Sequence, residues 1–353
     1  MLILVINPGS TSTKIAVYDG YTPVLVKSIK HKTQDLEHYA KATDQYEFRK
    51  RIIIDEIKNN DIPFKFDAVI GRGGLTKPLS GGVYEVNEKM MHDTCDAEHQ
   101  HACDLGCLIA HEIASEIPGC RSFIADPVVT DELNDYARVC GSPLMQRSSI
   151  WHALNQRAMA RRFAREHNTS YEDVNLIVCH LGGGISIAAH EHGKAVDVNN
   201  ALDGEGPFSP ERAGTLPAVD LVRLCYSGRF TEQELLQRIA GNAGLTALLG
   251  TNDMMEVDQR IKNGDETAKF YVDAMAYHIA KNITAQAAVL CGKIDAIILT
   301  GGMARWEYLV ERIMERVSWL APTHNYPGEN ELEALAHNAI AVLKGQIIPK
   351  TYE

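Results

Sequence analysis

Apolar residues fill positions 2–6, a polar turn follows over 7–12, and a segment over 13–18 turns apolar from Ile15 to Tyr18 before Asp19-Gly20. The pattern predicts strand, tight turn, strand, turn. A third strand is predicted over about 24–27. The same order of events recurs later in the chain. Strands are predicted over 176–179, 185–189 and 195–198, separated by Leu181-Gly182-Gly183-Gly184 and His192-Gly193. From Gly9 to Gly183 the two units lie about 174 residues apart. Repetition at that distance predicts two similar domains.

Between and beyond these units, strands alternate with helices. Residues 66–70 read as a strand ending at Gly71-Arg72-Gly73-Gly74, and 122–125 as a strand ending at Asp126-Pro127. Leu105, Leu108, Ile109 and Ile113 fall at helical spacing inside a helix predicted over 92–117. Ser149 is a candidate cap for a helix over 150–167. Helices are also predicted over 216–226, 231–240 and 265–290, and from about 305. A strand over 294–300 runs into Gly301-Gly302, and 331–343 forms a last amphipathic helix. The class is therefore α/β. The expected division is 1–148 with about 332–353 as one domain and 149–331 as the other.

Composition narrows the function classes. Of 353 residues, 45% are hydrophobic and 23% charged, the mixture of a globular chain. A net charge of -11 excludes an overall basic footprint for nucleic acid or anionic membrane. The apolar run at the N-terminus is too short to span a membrane or serve as a secretory core. Eight cysteines contain no Cys-x-x-Cys pair, so reduced thiols in a cytoplasm are expected. His92, Cys95, His99, His101, Cys103 and His111 cluster in sequence, but their spacings match no zinc pattern, and no metal is expected there.

Several segments carry candidate chemistry. Asn7-Pro8-Gly9-Ser10-Thr11-Ser12-Thr13-Lys14 offers backbone N–H groups and small hydroxyl donors to an anion, with glycine allowing close approach. It lacks the spacing of a Walker A loop. His180-Leu181-Gly182-Gly183-Gly184-Ile185-Ser186 has more glycine than a hairpin turn needs, and pairs with the first loop in the duplicated scheme. Thr300-Gly301-Gly302 joins a strand to a helix, where glycine lets a ligand lie against the helix start. The run 203–215 resists both helix and strand and carries Arg212. Arg72 and Asp126 each follow a strand, the end at which α/β sheets bind ligands. His152 falls at the start of a predicted helix, where the dipole favours anions. Ordinary turns, exposed charges and packed histidines would leave the same traces one at a time.

In this order the motifs resemble those of the acetate kinase family. The stretch 7–14 is similar to its first phosphate motif, 180–184 to its second, and Leu299-Thr300-Gly301-Gly302 to its adenosine motif. The run Asp197-Val198-Asn199-Asn200-Ala201-Leu202-Asp203-Gly204-Glu205-Gly206-Pro207-Phe208-Ser209-Pro210-Glu211-Arg212 is closer to the butyrate kinases of that family. Its acetate kinases carry a different run here and are longer.

The resemblance implies a duplicated ribonuclease-H-like (actin-like ATPase) fold, two domains around a nucleotide cleft. It also implies a reversible reaction of ATP and Mg2+ with a short-chain carboxylate, giving acyl phosphate and ADP. It assigns Arg72, Asp126, His152 and Arg212 to catalysis. ATP would be bound by Asn7, Gly9, Ser10, Thr11, Ser12, Lys14, His180, Gly182, Gly183, Gly184, Gly301 and Gly302. The metal would meet Asn7, Asp126 and Glu331, with Glu329 and Asn330 as neighbouring alternatives. The acyl tail would lie near Leu75, Trp151 and Phe208. A homo-oligomer, dimer or larger, is implied. The alternatives are an acetate or branched-chain acid kinase and, from another class, an actin- or chaperone-like nucleotide switch.

Overall fold

Two sheets grow from the two repeated units in the computed structural model, which describes residues 1–39, 41–97 and 101–353. In the first unit, β1 (Leu2–Pro8), β2 (Ser12–Asp19) and β3 (Thr22–Lys30) form an antiparallel meander. β4 (Ala68–Arg72), β5 (Val83–Glu85) and β6 (Arg121–Ala125) complete a sheet ordered β3-β2-β1-β4-β6-β5. In the second unit, β7 (Asn175–Leu181), β8 (Ile185–Glu191) and β9 (Lys194–Val198) repeat the meander. β10 (Ala296–Gly301) and β11 (Thr323–Pro327) then pair in parallel on the other side of β7. Read from β9, that sheet runs β9-β8-β7-β10-β11, the order of the first sheet without its β5 edge. Each unit even breaks register at a comparable place, beside Tyr18 and beside His190. The duplication is thus carried by topology, and the fold is the expected ribonuclease-H-like one.

The central strands are apolar at consecutive positions because both faces are covered. In the first unit, Leu4, Ile6, Ile15 and Val17 pack against Ile53 and Ile57 of α1 (Tyr46–Asn59) and Leu105, Ile109 and Ile113 of α2 (Leu105–Ser115). In the second, Leu176, Val178 and Ile298 face α3 (Ala153–Glu166). Their neighbours Ile177, Cys179 and Ile297 face the opposite side, against α4 (Glu266–Val289) and α5 (Glu307–Val317). The last helix, α6 (Glu331–Leu343), returns to β1 and β4 of the first unit.

The compact units are Met1–Thr130 with Asn330–Glu353, and Asp131–Glu329. The first boundary therefore lies before the expected one at 148, because residues 131–148 are tied to the second unit. Asn134 N–H donates to Val196, Glu132 accepts from Ala195 N–H and Arg157, and Arg147 reaches Asp197 and Glu205. Glu331 also changes sides. It belongs to the first unit, since it opens α6.

Two predicted helices are corrected. The one over 92–117 gives way to a helix over Glu88–Asp96, a short turn over Ala102–Asp104 and α2. Asp104 causes the break locally, accepting from the N–H groups of His101 and Leu75. His99 lies outside the described residues. The other helix, predicted over 150–167, begins at Ala153. Its cap is His152, not Ser149. β11 was not predicted. Its sequence, Thr-His-Asn-Tyr-Pro, lacks apolar alternation, and an edge strand tolerates both polar residues and proline. Among the described residues no helix is long and apolar enough to cross a membrane.

Glycine spacing sets how closely β4 meets α2. A Cβ on Gly71 would collide with the Gly106 carbonyl, and one on Gly106 with the Arg72 carbonyl. The contact is backbone on backbone. Gly106→Ala is expected to lower stability by roughly 1–3 kcal/mol through overpacking. Equilibrium denaturation checks this, and an unchanged midpoint would show that the contact can relax freely.

Candidate active site

Three expected residues of the first unit end adjacent parallel strands. Asn7 lies near the end of β1, Arg72 closes β4, and Asp126 follows β6. The carboxyl edge of a parallel sheet gathers side chains from different strands at one place. Glu331, from the first turn of α6, meets two of them there. Its buried Oε2 accepts from Asn7 Nδ2 at 2.6 Å and from Arg72 Nη1 at 3.0 Å. Asp126 is buried in left-handed backbone, φ 40°, and holds the Gly82 N–H through Oδ1 at 2.8 Å. Strained non-glycine backbone persists where its surroundings over-determine it, and such positions cluster at functional sites.

The first loop is shaped from beneath by Arg49 of α1, which the sequence reading missed. This buried guanidinium donates to the carbonyls of Gly9, Ser10 and Ser12 and to Thr13 Oγ1. Gly9 N–H closes the turn on Ser12 at 2.7 Å. With those carbonyls engaged inside, Ser10, Thr11 and Lys14 remain exposed at the surface. Burial draws Arg49 down to about 10, so it stays protonated at neutral pH. One signal was available: Arg49 stands in register with Ile53 and Ile57 on the buried stripe of α1.

The second unit gathers a different set. His180 near the end of β7 is buried, and the His152 ring stacks on it with centroids 3.7 Å apart and planes 5° from parallel. His152 Nδ1 lies 2.8 Å from Ser186 Oγ. His180 Nε2 is buried without a hydrogen-bond partner; Glu329 stands 3.4 Å away but does not satisfy it. The turn Gly182-Gly183-Gly184 is clamped by Ser209 Oγ, which donates to the Gly183 carbonyl at 2.6 Å. Arg212 donates to the Ala201 carbonyl and lies against Gly184, where any Cβ would overlap the guanidinium. Burial lowers its pKa, opposed by Glu211 and Asp203. Gly301 ends β10, exchanging backbone hydrogen bonds with Gly328, and Gly302 has open space where a side chain would stand.

The residues expected around an acyl tail belong to both units. Trp151 is buried among Leu133, Ala137 and Val198, while Phe208 packs on a different core of the same unit. Leu75, in the first unit, lines a cavity of about 420 Å3 with Lys77, Asp93 and Tyr352. Among the described residues, no group of three His, Cys, Asp or Glu side chains is arranged to hold a metal ion.

Residues 147–321 match the acetokinase family model. The chain is 60% identical to a probable butyrate kinase of Bacteroides thetaiotaomicron over 353 residues, covering 100% of both. The chain belongs to the acetokinase family. Solved structures agree on the fold. Porphyromonas gingivalis acetate kinase superposes with a TM-score of 0.81 at 18% identity, covering 97% of this chain and 99% of that one. A propionate kinase from Francisella tularensis gives 0.77 at 18%, covering 96% and 98%. In this acetokinase the two residue sets differ in kind. The first unit offers a paired carboxylate and hard oxygen atoms; the second offers rings, a glycine turn and a guanidinium.

His31 supports the first loop through Thr13 Oγ1 at 2.8 Å. Burial, and then the charge of Arg49, hold its pKa down to about 4, against the pull of Asp35. An unfolded histidine binds its proton near 6.5. The contribution to stability is therefore complete above about 6.5 and is lost as pH falls toward 4. In denaturation between those values, His31→Gln is expected to reduce the pH slope by up to one proton, about 1.4 kcal/mol per pH unit. An unchanged slope would assign the acid sensitivity to other groups.

Proposed function

We propose that this acetokinase is a butyrate kinase, converting ATP and butanoate to ADP and butanoyl phosphate. The observation that carries the reading is full-length identity of 60% to a probable butyrate kinase. The Asn7–Arg72–Glu331 cluster and the Gly184–Arg212 contact support it as the kind of apparatus a phosphoryl transfer needs. The first unit with α6 handles the acyl substrate and the phosphates; the second binds the nucleotide.

A carboxylate is already ionised and needs no general base. One carboxylate oxygen forms a bond to the γ-phosphorus while the bond to the β,γ-bridging oxygen breaks and ADP leaves. The obstacle is bringing one anion to another, so positioning and electrostatics dominate. Arg72 and Arg212 supply positive charge to the transferring group, and their planar forks suit phosphoryl and carboxylate oxygens. His152 donates to its oxygens. Gly9, Ser10, Thr11, Ser12 and Lys14 meet phosphate at the first loop; His180 and Gly182, Gly183 and Gly184 meet it at the second. Gly301 and Gly302 lie against the adenosine.

Asn7 and Glu331, with Asp126, would hold Mg2+. The donors fit, being hard oxygens and few, as suits an ion that keeps waters and phosphate oxygens as its other ligands. When bound, the ion neutralises charge on the phosphate oxygens. The same reading assigns Leu75, Trp151 and Phe208 to the acyl chain. We further propose a cytoplasmic homo-oligomer. Eight cysteines without a Cys-x-x-Cys pair agree with a reducing compartment.

The test is hydroxamate formation by purified protein with Mg-ATP, hydroxylamine and separate C2 to C5 acids. A maximum at butanoate is expected. A maximum at acetate or at a branched acid would replace the substrate, and no product with any acid would favour a nucleotide switch. Arg212→Ala should lose roughly 10³-fold or more in turnover while still binding ATP. Near wild-type turnover would remove Arg212 from the mechanism.

A further inference from the structure

We propose that a buried hydrogen-bond chain ending at Ser186 fixes His152 as the tautomer that carries its proton on Nε2. The proposal rests on the reading that His152 donates to the transferring phosphoryl group. Ser186, Gln156 and His190 are then positioning residues, acting on the reaction through His152.

The direction of every hydrogen bond follows from one fixed acceptor. Gln156 Nε2 lies 3.0 Å from the Ser186 carbonyl oxygen, which can only accept. The amide nitrogen must point there, because the reversed amide would set oxygen against oxygen. Gln156 Oε1 therefore faces His190 Nε2 at 3.1 Å and accepts its proton. His190 is completely buried, and burial with the nearby Arg157 and Arg161 holds its pKa down to about 3, so the ring is neutral. Its Nδ1 is bare and accepts from the Tyr171 hydroxyl at 2.6 Å. This end of the chain is fully determined.

The other end follows in turn. Gln156 Nε2 also donates to Ser186 Oγ at 2.8 Å, and the His152 backbone N–H approaches the same oxygen at 3.4 Å. With its lone pairs engaged, the hydroxyl turns its own proton to His152 Nδ1 at 2.8 Å. A neutral ring that accepts at Nδ1 bears its hydrogen at Nε2. An imidazolium would instead aim a third donor at Ser186 Oγ. Ser186 and Gln156 are fully buried, which makes each mismatched group costly. His152 is thereby preset as a donor through Nε2, in one orientation, with its ring also held by the stack on His180.

The experiment is long-range 1H–15N correlation on the histidine rings of the full chain near neutral pH, with His152 assigned by its loss in His152→Gln. The expected result is a pyridine-like Nδ1 and a pyrrole-like Nε2. The reverse pattern, or two pyrrole-like nitrogens, would overturn the proposal. In Ser186→Ala the second tautomer should become populated. Its kcat should fall roughly 10–100-fold, as when a group that orients an active-site histidine is removed, with KM for ATP little changed. An unaltered His152 spectrum in that variant would take the role from Ser186. The wild-type spectrum decides the tautomer even if Ser186→Ala folds poorly. Near wild-type turnover of His152→Gln would end the catalytic reading while leaving the tautomer measurement intact.

Discussion

A buried carboxylate cannot be left alone. Glu331 is almost wholly withdrawn from water, and an isolated charge in that position would be strongly destabilising. Arg72 and Asn7 resolve this, and in doing so they join the end of β4, the end of β1 and the start of α6. Glu331 lies 259 positions from Arg72 and 324 from Asn7 in the chain. Removing Arg72 would therefore do more than delete a positive charge. It would leave Glu331 uncompensated at the point where the last helix docks. Packing of α6 on the first sheet and the chemistry assigned to that edge depend on the same interaction.

Duplication supplied two copies of one scaffold, and the copies solve different problems. Both place candidate side chains at the carboxyl edge of parallel strands, because that edge is where neighbouring strands deliver successive residues to one side. The first copy concentrates a paired ionic group. The second keeps a buried histidine ring stacked on another and a guanidinium pressed against glycine. Ionic groups are held there by partners, rings by stacking and directed hydrogen bonds.

Much of this was legible because its cause is local. Strands buried on both faces must be apolar at consecutive positions, so β1, β7 and β10 stand out. Glycine turns stand out because backbone must approach something closely. Arg72 between Gly71 and Gly73 was visible for the same reason, although Gly106, its counterpart in α2, was not. Features with distant causes stayed hidden. Arg49 reads as one more charge on a surface helix until the carbonyls beneath the first loop are seen. The break before α2 follows from Asp104 reaching back to His101 and Leu75. The boundary near 130 follows from ion pairs and backbone contacts that hold 131–148 to β9. The candidate site residues are motif members; the partners proposed to orient them, such as Ser186 and Gln156, come from other elements and leave no motif.

The division of the chain has a consequence for synthesis. The second unit is one continuous stretch, Asp131–Glu329, whereas the first is split and includes Asn330–Glu353. Domains tend to fold as units while the chain emerges N-terminus first. Here the segment made first must wait for the segment made last, since α6 covers β1 and β4. Until then the face that α6 will cover is bare, and Asn7 and Arg72 lack Glu331. The first unit has all its strands by Ala125 but lacks α6, whereas the second is complete at Glu329, before α6 is made. A nascent chain stalled short of α6 would thus hold a complete second unit and a first whose apolar face over β1 and β4 is still uncovered.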